Sequence, residues 1–246
     1  MHDKSPVEPS NGRALTRVVG VASCVETLSH LHKARAVCDW VEVRADLMGA
    51  DADAWLRAHA PSSDLPPILL TIRSAREGGK WGGSEEERIQ RYADLLPHVF
   101  AVDVELDSGA LPEVVKRARA ARRTVIGSFH DFHATPDEEH LRSLVMRGEQ
   151  AGASMVKLAV WTASESDIQR LENVLHNPPS GIPLALMGMG PLGIASRLRL
   201  AETGSALVYG FLDSESAPGQ LSSAELVERL TALIPAYRRY RSDADA

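Results

Sequence analysis

The stretch Ser154-Met155-Val156-Lys157-Leu158-Ala159-Val160 sets an amine in the middle of a run that otherwise reads as a buried strand. The other four of the chain's five lysines, Lys4, Lys33, Lys80 and Lys116, sit among polar neighbours. Burial disfavours the charged form of an amine, and an uncharged amine attacks carbonyl carbon, the first step of Schiff-base catalysis. The opposing reading is a lysine whose stem covers apolar surface while its head reaches water at a strand end. Two further groups would serve such a nucleophile. Phe129-His130-Asp131-Phe132-His133 supplies an imidazole, His130, suited to moving protons near neutral pH beside an activated carbonyl. Arg73-Ser74-Ala75-Arg76-Glu77-Gly78-Gly79 supplies a carboxylate, Glu77, held by paired glycines that permit a tight backbone path. The two histidines with an aspartate between them also invite a metal reading. No His-x-x-x-His helix and no cysteine at useful spacing accompany them, so no metal is expected and His133 reads as a loop side chain.

Something must hold these groups together. From Arg17 onward the chain alternates short apolar runs with longer amphipathic segments. The spacing predicts eight strands: Val18–Ser23, Trp40–Asp46, Ile68–Arg73, Phe100–Leu106, Val125–His130, Met155–Val160, Leu184–Met189 and Ala206–Leu212. Helical patterns lie at Ser84–Leu96, Ala110–Ala121, Asp137–Ala151, Glu165–Leu175 and Ser222–Tyr237, the last opening on a Ser-Ser-Ala-Glu cap signal. Eight such units in about 220 residues fit a single-domain (β/α)8 TIM barrel better than a doubly wound sheet. In a barrel the side chains of alternate strand positions point inward and chemistry belongs at the C-terminal strand ends. That rule turns Glu42, Arg44 and Asp46 to one face of the second strand, and pairs Thr71 with Arg73, Asp103 with Glu105 and Ser128 with His130 on the next three. Lys157 then shares its face with Met155 and Ala159, and Met187 lies with Met189.

Two loops matter. Gly188-Met189-Gly190-Pro191-Leu192-Gly193 matches a Gly-x-Gly-x-x-Gly pattern, with Asp213 about 20 residues on, but it falls in the seventh of eight units with no second nucleotide-binding half after it. No nucleotide is expected there. Arg197, just beyond, puts a cation at the same rim, suited to a substrate carboxylate. Asp213-Ser214-Glu215-Ser216-Ala217-Pro218-Gly219-Gln220 is small and polar and reads as a lid.

Composition bounds the partners. A chain of 246 residues with 44% hydrophobic content buries a large core, and a net charge of -6 without a long basic run argues against nucleic acid or an anionic membrane surface. No apolar run reaches the ~18 residues that span a bilayer. Cys24 and Cys38 make no disulfide framework, so a reducing cytoplasm is the expected setting. The polar residues 1–16 and 239–246 are expected to be flexible tails around a catalytic domain at 17–238.

Several of these segments, taken in order, resemble the motifs of type I 3-dehydroquinate dehydratase. They are Glu42-Val43-Arg44-Ala45-Asp46, Thr71-Ile72-Arg73 with Glu77-Gly78-Gly79, Ser128-Phe129-His130-Asp131, Val156-Lys157-Leu158, Gly193-Ile194-Ala195-Ser196-Arg197 and Ser216-Ala217-Pro218-Gly219-Gln220. The resemblance covers nearly the whole chain outside the tails. It implies a TIM barrel, usually a homodimer, that needs no cofactor and converts the anionic small molecule 3-dehydroquinate to 3-dehydroshikimate. It also implies roles: Lys157 as Schiff-base nucleophile, His130 as general acid and base for a syn elimination, and Glu77 as the group orienting the imidazole. Arg197 would hold the substrate carboxylate, with Ser216 and Gln220 closing from the lid. Glu42, Arg44 and Arg73 would bind ring hydroxyls, backed by Asp46 and Asp103. The first strand departs from the family pattern, with Val21 or Ala22 where a serine is common and Ser23 close by, and Ser154 stands where an acid is frequent. Two other readings compete. A class I Schiff-base aldolase also uses a lysine on the sixth barrel strand, and a non-catalytic quinate- or shikimate-type binding regulator could share the fold.

Overall fold

The computed structural model describes residues 15–215 and 220–244. Eight parallel strands, β1 (Arg17–Ala22), β2 (Trp40–Arg44), β3 (Ile68–Thr71), β4 (Ala101–Glu105), β5 (Thr124–Asp131), β6 (Met155–Trp161), β7 (Leu184–Met189) and β8 (Leu207–Phe211), form one sheet in the order β7-β6-β5-β4-β3-β2-β1-β8. Around it run α1 (Val25–Leu28), α2 (Ala45–Met48), α3 (Ala50–His59), α4 (Glu85–Leu95), α5 (Leu111–Ala120), α6 (Glu138–Gln150), α7 (Glu165–His176), α8 (Gly193–Thr203), α9 (Ser223–Leu233) and α10 (Pro235–Ala244). The sheet curls into a nearly closed (β/α)8 barrel.

Closure is incomplete between β7 and β8. One backbone bond joins their N-terminal ends, Ala206 N donating to Leu184 O at 2.7 Å. Higher up, side chains satisfy the β7 edge: Leu186 N donates to Ser205 Oγ at 2.9 Å and Gly188 N to Ser196 Oγ at 3.1 Å. Buried backbone donors need such partners wherever the ladder stops.

Strand alternation sorts the core into two layers. Outward residues such as Val18, Val41, Leu70, Val102 and Val125 pack against the helices. Inward residues at the N-terminal strand ends, among them Val19, Trp40, Leu69, Ala101, Ile126 and Ala185, fill the barrel floor. Above that floor the inward positions turn polar.

All eight expected strands form, and the helix signals hold where side-chain caps exist. Ser84 with Glu87 and Ser222 with Glu225 each make a capping box, and Asp137 Oδ1 accepts from His140 N at 2.8 Å. Three expectations need correction. The second strand ends at Arg44, and Ala45 to Met48 is already helical, so Asp46 does not sit on the strand face. The single helix expected over Ser222–Tyr237 is broken at Ile234, whose ψ of 101° is the extended conformation that a following proline favours. Residues 239–244, expected as a flexible tail, belong to α10. Its Tyr237 hydroxyl and Arg241 Nη1 both reach the Asp39 carboxylate, at 2.9 Å each. Asp39 in turn accepts from Val18 N at 2.7 Å, so α10 is tied to β1. Among the described residues no helix is long and apolar enough to cross a membrane.

Candidate active site

The C-terminal strand ends converge on a cavity lined by Glu42, Arg44, Arg73, Glu77, His130 and Lys157, with Arg197 and Gln220 closing its side. The side chains reach it because their strands are registered. Thr71 is the Cα partner of Asp103, and Ser128 of Lys157.

Lys157 is 4% exposed. The bare, solvent-poor amine expected from its apolar flanks is instead half of a buried salt bridge, Nζ lying 2.7 Å from Asp103 Oδ2. Its head therefore does not reach bulk water at a strand end. Nζ also lies 4.5 Å from the centre of the Tyr209 ring. Asp103, expected to back Glu42, Arg44 and Arg73, thus touches the lysine directly. Its other oxygen accepts from Arg73 Nη2 at 2.7 Å and Ser128 Oγ at 2.5 Å. Burial alone would raise the Asp103 carboxyl, but Arg73 and Lys157 outweigh it and hold it well below the ordinary carboxylate range.

Glu77 is delivered by the loop after β3. Gly78 adopts φ +77°, and a Cβ on Gly79 would stand 2.1 Å from the Arg73 carbonyl oxygen, so only glycine lets the chain fold back this closely. Folded so, Glu77 Oε2 accepts from His130 N at 3.0 Å and lies 2.8 Å from His130 Nδ1. An ionised Glu77 draws the imidazole proton to Nδ1 and leaves a lone pair on Nε2. Burial moves both groups toward neutrality. It raises Glu77 to about 7, against the pull of Arg73, and together with Arg73 and Lys157 it holds His130 well below its ordinary range. Phe132 stacks near the imidazole at 6.4 Å between ring centres.

The remaining polar groups are held in fixed geometry. Glu42 Oε1 accepts from Thr71 Oγ1 at 2.7 Å. Arg44 makes a two-point pair with Asp46, Nε to Oδ1 at 3.0 Å and Nη2 to Oδ2 at 2.9 Å, so Asp46 keeps its expected partner although a helix turn rather than a strand presents it. Arg73 also meets Ser128 Oγ at 2.7 Å and Glu105 at 3.1 Å. Glu105, itself buried, is shared with Arg88 of α4 at 2.8 Å. Arg197, 2% exposed on α8, is lowered to about 10 by burial despite Glu215. A buried cation of this kind stabilises an incoming anion strongly.

The loop after β8, expected as a lid, is anchored at its start. Asp213 accepts from Ser23 N and Ser23 Oγ, both at 2.8 Å, and from Thr27 Oγ1 at 2.9 Å, fastening the loop after β8 to the loop after β1. Ser216, expected on this lid, lies outside the described residues. Ser23 is therefore engaged with Asp213, and Val21 is the β1 residue that lines the cavity.

Asp131, between the two histidines, accepts from His133 N at 2.8 Å and Ala134 N at 3.0 Å, a turn that caps its own loop. The glycine-rich segment after β7 forms a turn with Gly190 at φ +79°, packed on Trp161, and opens α8. Two buried residues carry no local signal of their place: a tyrosine inside an apolar strand, as at Tyr209, reads as core, and an arginine in an amphipathic helix, as at Arg88, reads as solvent-facing, yet Arg88 is 1% exposed.

Residues 18–234 match the family described as type I 3-dehydroquinase. A 3-dehydroquinate dehydratase of Methanocella arvoryzae is 35% identical over 195 residues, covering 79% of this chain and 87% of that protein. Another from Methanosarcina barkeri is 36% identical over 212 residues, covering 81% and 87%. Among solved structures, a type I 3-dehydroquinate dehydratase from Clostridium difficile, with covalent modified comenic acid, superimposes with a TM-score of 0.79 at 29% identity, covering 90% of this chain and 93% of that one.

Proposed function

This chain belongs to the type I 3-dehydroquinase family and is a dehydratase acting on 3-dehydroquinate, and we propose that it works through a Schiff base on Lys157. The observation that carries this reading is the placement, in one cavity, of a buried lysine and an imidazole already hydrogen-bonded to a carboxylate.

The substrate enters with its carboxylate toward Arg197 and its ring hydroxyls toward Glu42, Arg44 and Arg73. Lys157 Nζ passes one proton to His130 and bonds to the C3 ketone carbon; the ketone oxygen takes that proton and a second from Nζ and departs as water, leaving an iminium that keeps the third. Asp103, no longer paired with an ammonium, faces the new cation and stabilises it. The iminium acidifies the C2 proton by accepting the electron pair that its loss leaves behind. His130 Nε2 takes that proton, and the electrons then flow back to expel the C1 hydroxyl, which His130 protonates as it leaves. One base serving both ends puts the two departing groups on the same face, a syn elimination. Water then hydrolyses the iminium and restores the lysine. Gln220 bounds the substrate from the loop after β8, and the family resemblance assigns Ser216 a contact as well. The reading also includes a homodimer, as the family resemblance implies, and a reducing cytoplasm, as Cys24 and Cys38 without a disulfide framework imply.

Sodium borohydride added with 3-dehydroquinate tests the covalent step. The expected result is an intact-mass increase matching one reduced substrate adduct, mapped by peptide analysis to Lys157. An unmodified chain that still turns over substrate would refute the iminium route.

The Glu77–His130 pair also makes the reaction depend on pH. Glu77 sits at about 7, so below that pH its carboxyl carries a proton and donates to Nδ1. The imidazole proton then moves to Nε2 and the base is lost. His130 is held neutral by burial and its cationic neighbours, so its own charging comes at lower pH. On this basis kcat/KM rises with pH through about 7, and Glu77→Gln lowers the rate while flattening that acid limb. An unchanged limb in the variant would assign the titration to another group.

A further inference from the structure

The hydroxyl of Tyr209 has no hydrogen-bond partner among the described residues, although it is buried and its residue is only 4% exposed. The other buried phenols are satisfied. Tyr92 donates to Asp103 O at 2.6 Å and accepts from Ile72 N at 3.1 Å, and Tyr237 donates to Asp39 at 2.9 Å. The charged residues around the cavity are likewise engaged: Lys157 with Asp103, His130 with Glu77, and Glu42 Oε1 with Thr71. A buried hydroxyl left unpaired is costly, and native structures rarely keep one without a use.

Tyr209 occupies an inward position of β8 and lines the same cavity as Glu42 and Lys157. Its ring faces the lysine, with Nζ 4.5 Å from the centre, so the ring forms a wall beside the carbon that reacts. Burial, then the anionic neighbours Glu42 and Asp103, raise the phenol well above its ordinary range, which keeps its proton in place for donation. Glu42 has the opposite character: Oε1 is taken by Thr71, and Oε2 has no partner among the described residues. An unpaired donor and an unpaired acceptor oxygen in one cavity match a ligand hydroxyl, which gives one hydrogen bond and takes another.

We propose that the Tyr209 hydroxyl donates to a ring hydroxyl of the substrate that itself donates to Glu42, making Tyr209 a specificity residue for the hydroxylated carbocycle. This rests on the dehydratase reading above and adds to it a contact from β8.

Tyr209→Phe tests the idea because it removes one oxygen and keeps the ring. The expected result is a KM for 3-dehydroquinate raised about tenfold, as for loss of one neutral hydrogen bond to a ligand, with kcat changed less than threefold. Thermal stability should not fall, since the lost oxygen had no partner. A deoxy analogue of the product lacking that ring hydroxyl should inhibit the wild type about tenfold more weakly than the product itself, and the difference should vanish in the variant. A KM and inhibition constants within twofold of wild type would overturn the proposal, as would a fall confined to kcat. If the variant does not fold, the wild-type structure with product bound decides: a phenol oxygen within about 3.2 Å of a ring oxygen supports the contact, and no ring oxygen in reach overturns it. Failure of the wild type to dehydrate 3-dehydroquinate would instead overturn the reading on which this inference rests.

Discussion

Replacing Lys157 by alanine is expected to lower kcat by about 10⁵-fold, the scale on which loss of a covalent nucleophile is felt, and to abolish borohydride trapping. The size follows from what the amine supplies. Without the iminium the C2 proton is acidified only by a neutral ketone, and no other described lysine lines the cavity. The substitution also breaks a buried salt bridge, which costs several kcal/mol when it strands a charge. Here the stranding is partial, because Asp103 keeps Arg73 at 2.7 Å and Ser128 at 2.5 Å. The variant should therefore fold and still bind product, and a melting curve with a product titration separates lost chemistry from lost structure. Lys157→Met provides a second comparison that fills the same volume. More than about one percent residual turnover in both variants would mean that the reaction does not pass through this lysine.

His130→Ala is expected to lower kcat by about 10³- to 10⁴-fold, the upper part of the range for a positioned general base and acid. The two substitutions should differ in kind. With His130 gone the amine is still present, so a substrate adduct should remain trappable by borohydride, formed more slowly because the imidazole no longer shuttles protons. Turnover fails later, at removal of the C2 proton, so adduct persists where the wild type would have released product. Loss of trapping together with turnover would place the imidazole's main role in forming the iminium, contrary to the proposed division of labour. A decrease of less than tenfold would remove His130 from the proton-transfer step altogether.

Much of this site was legible in one dimension. Two-residue alternation in Trp40-Val41-Glu42-Val43-Arg44 states which side chains share the interior, whatever surrounds them, because the pleat of a strand fixes it. The lone lysine amid apolar neighbours, the glycine pair beside Glu77 and the order of the motifs were equally local. So were the helix caps, where a serine and an acid three residues later bond to each other's backbone. What failed locally also has local causes: Ala45-Asp46 continued the strand pattern, but the chain turns into a helix there and ends at Gly49 with φ +60°.

The sequence by itself determined the strand-helix rhythm, the polar stripe facing the interior, and the identity of the groups able to do chemistry, since each depends on residues a few positions apart. Only the tertiary structure decided that Lys157 rests as an ion pair with an aspartate 54 positions away, that Glu77 reaches across 53 positions to His130, and that Tyr209 brings to the same cavity a hydroxyl with no partner among the described residues. Those relations exist because curling the sheet brings distant strands side by side in one register. Distance along the chain carries no information about which inward side chains then meet, and burial together with the charges of the assembled cluster, not any single residue, sets the protonation of its groups.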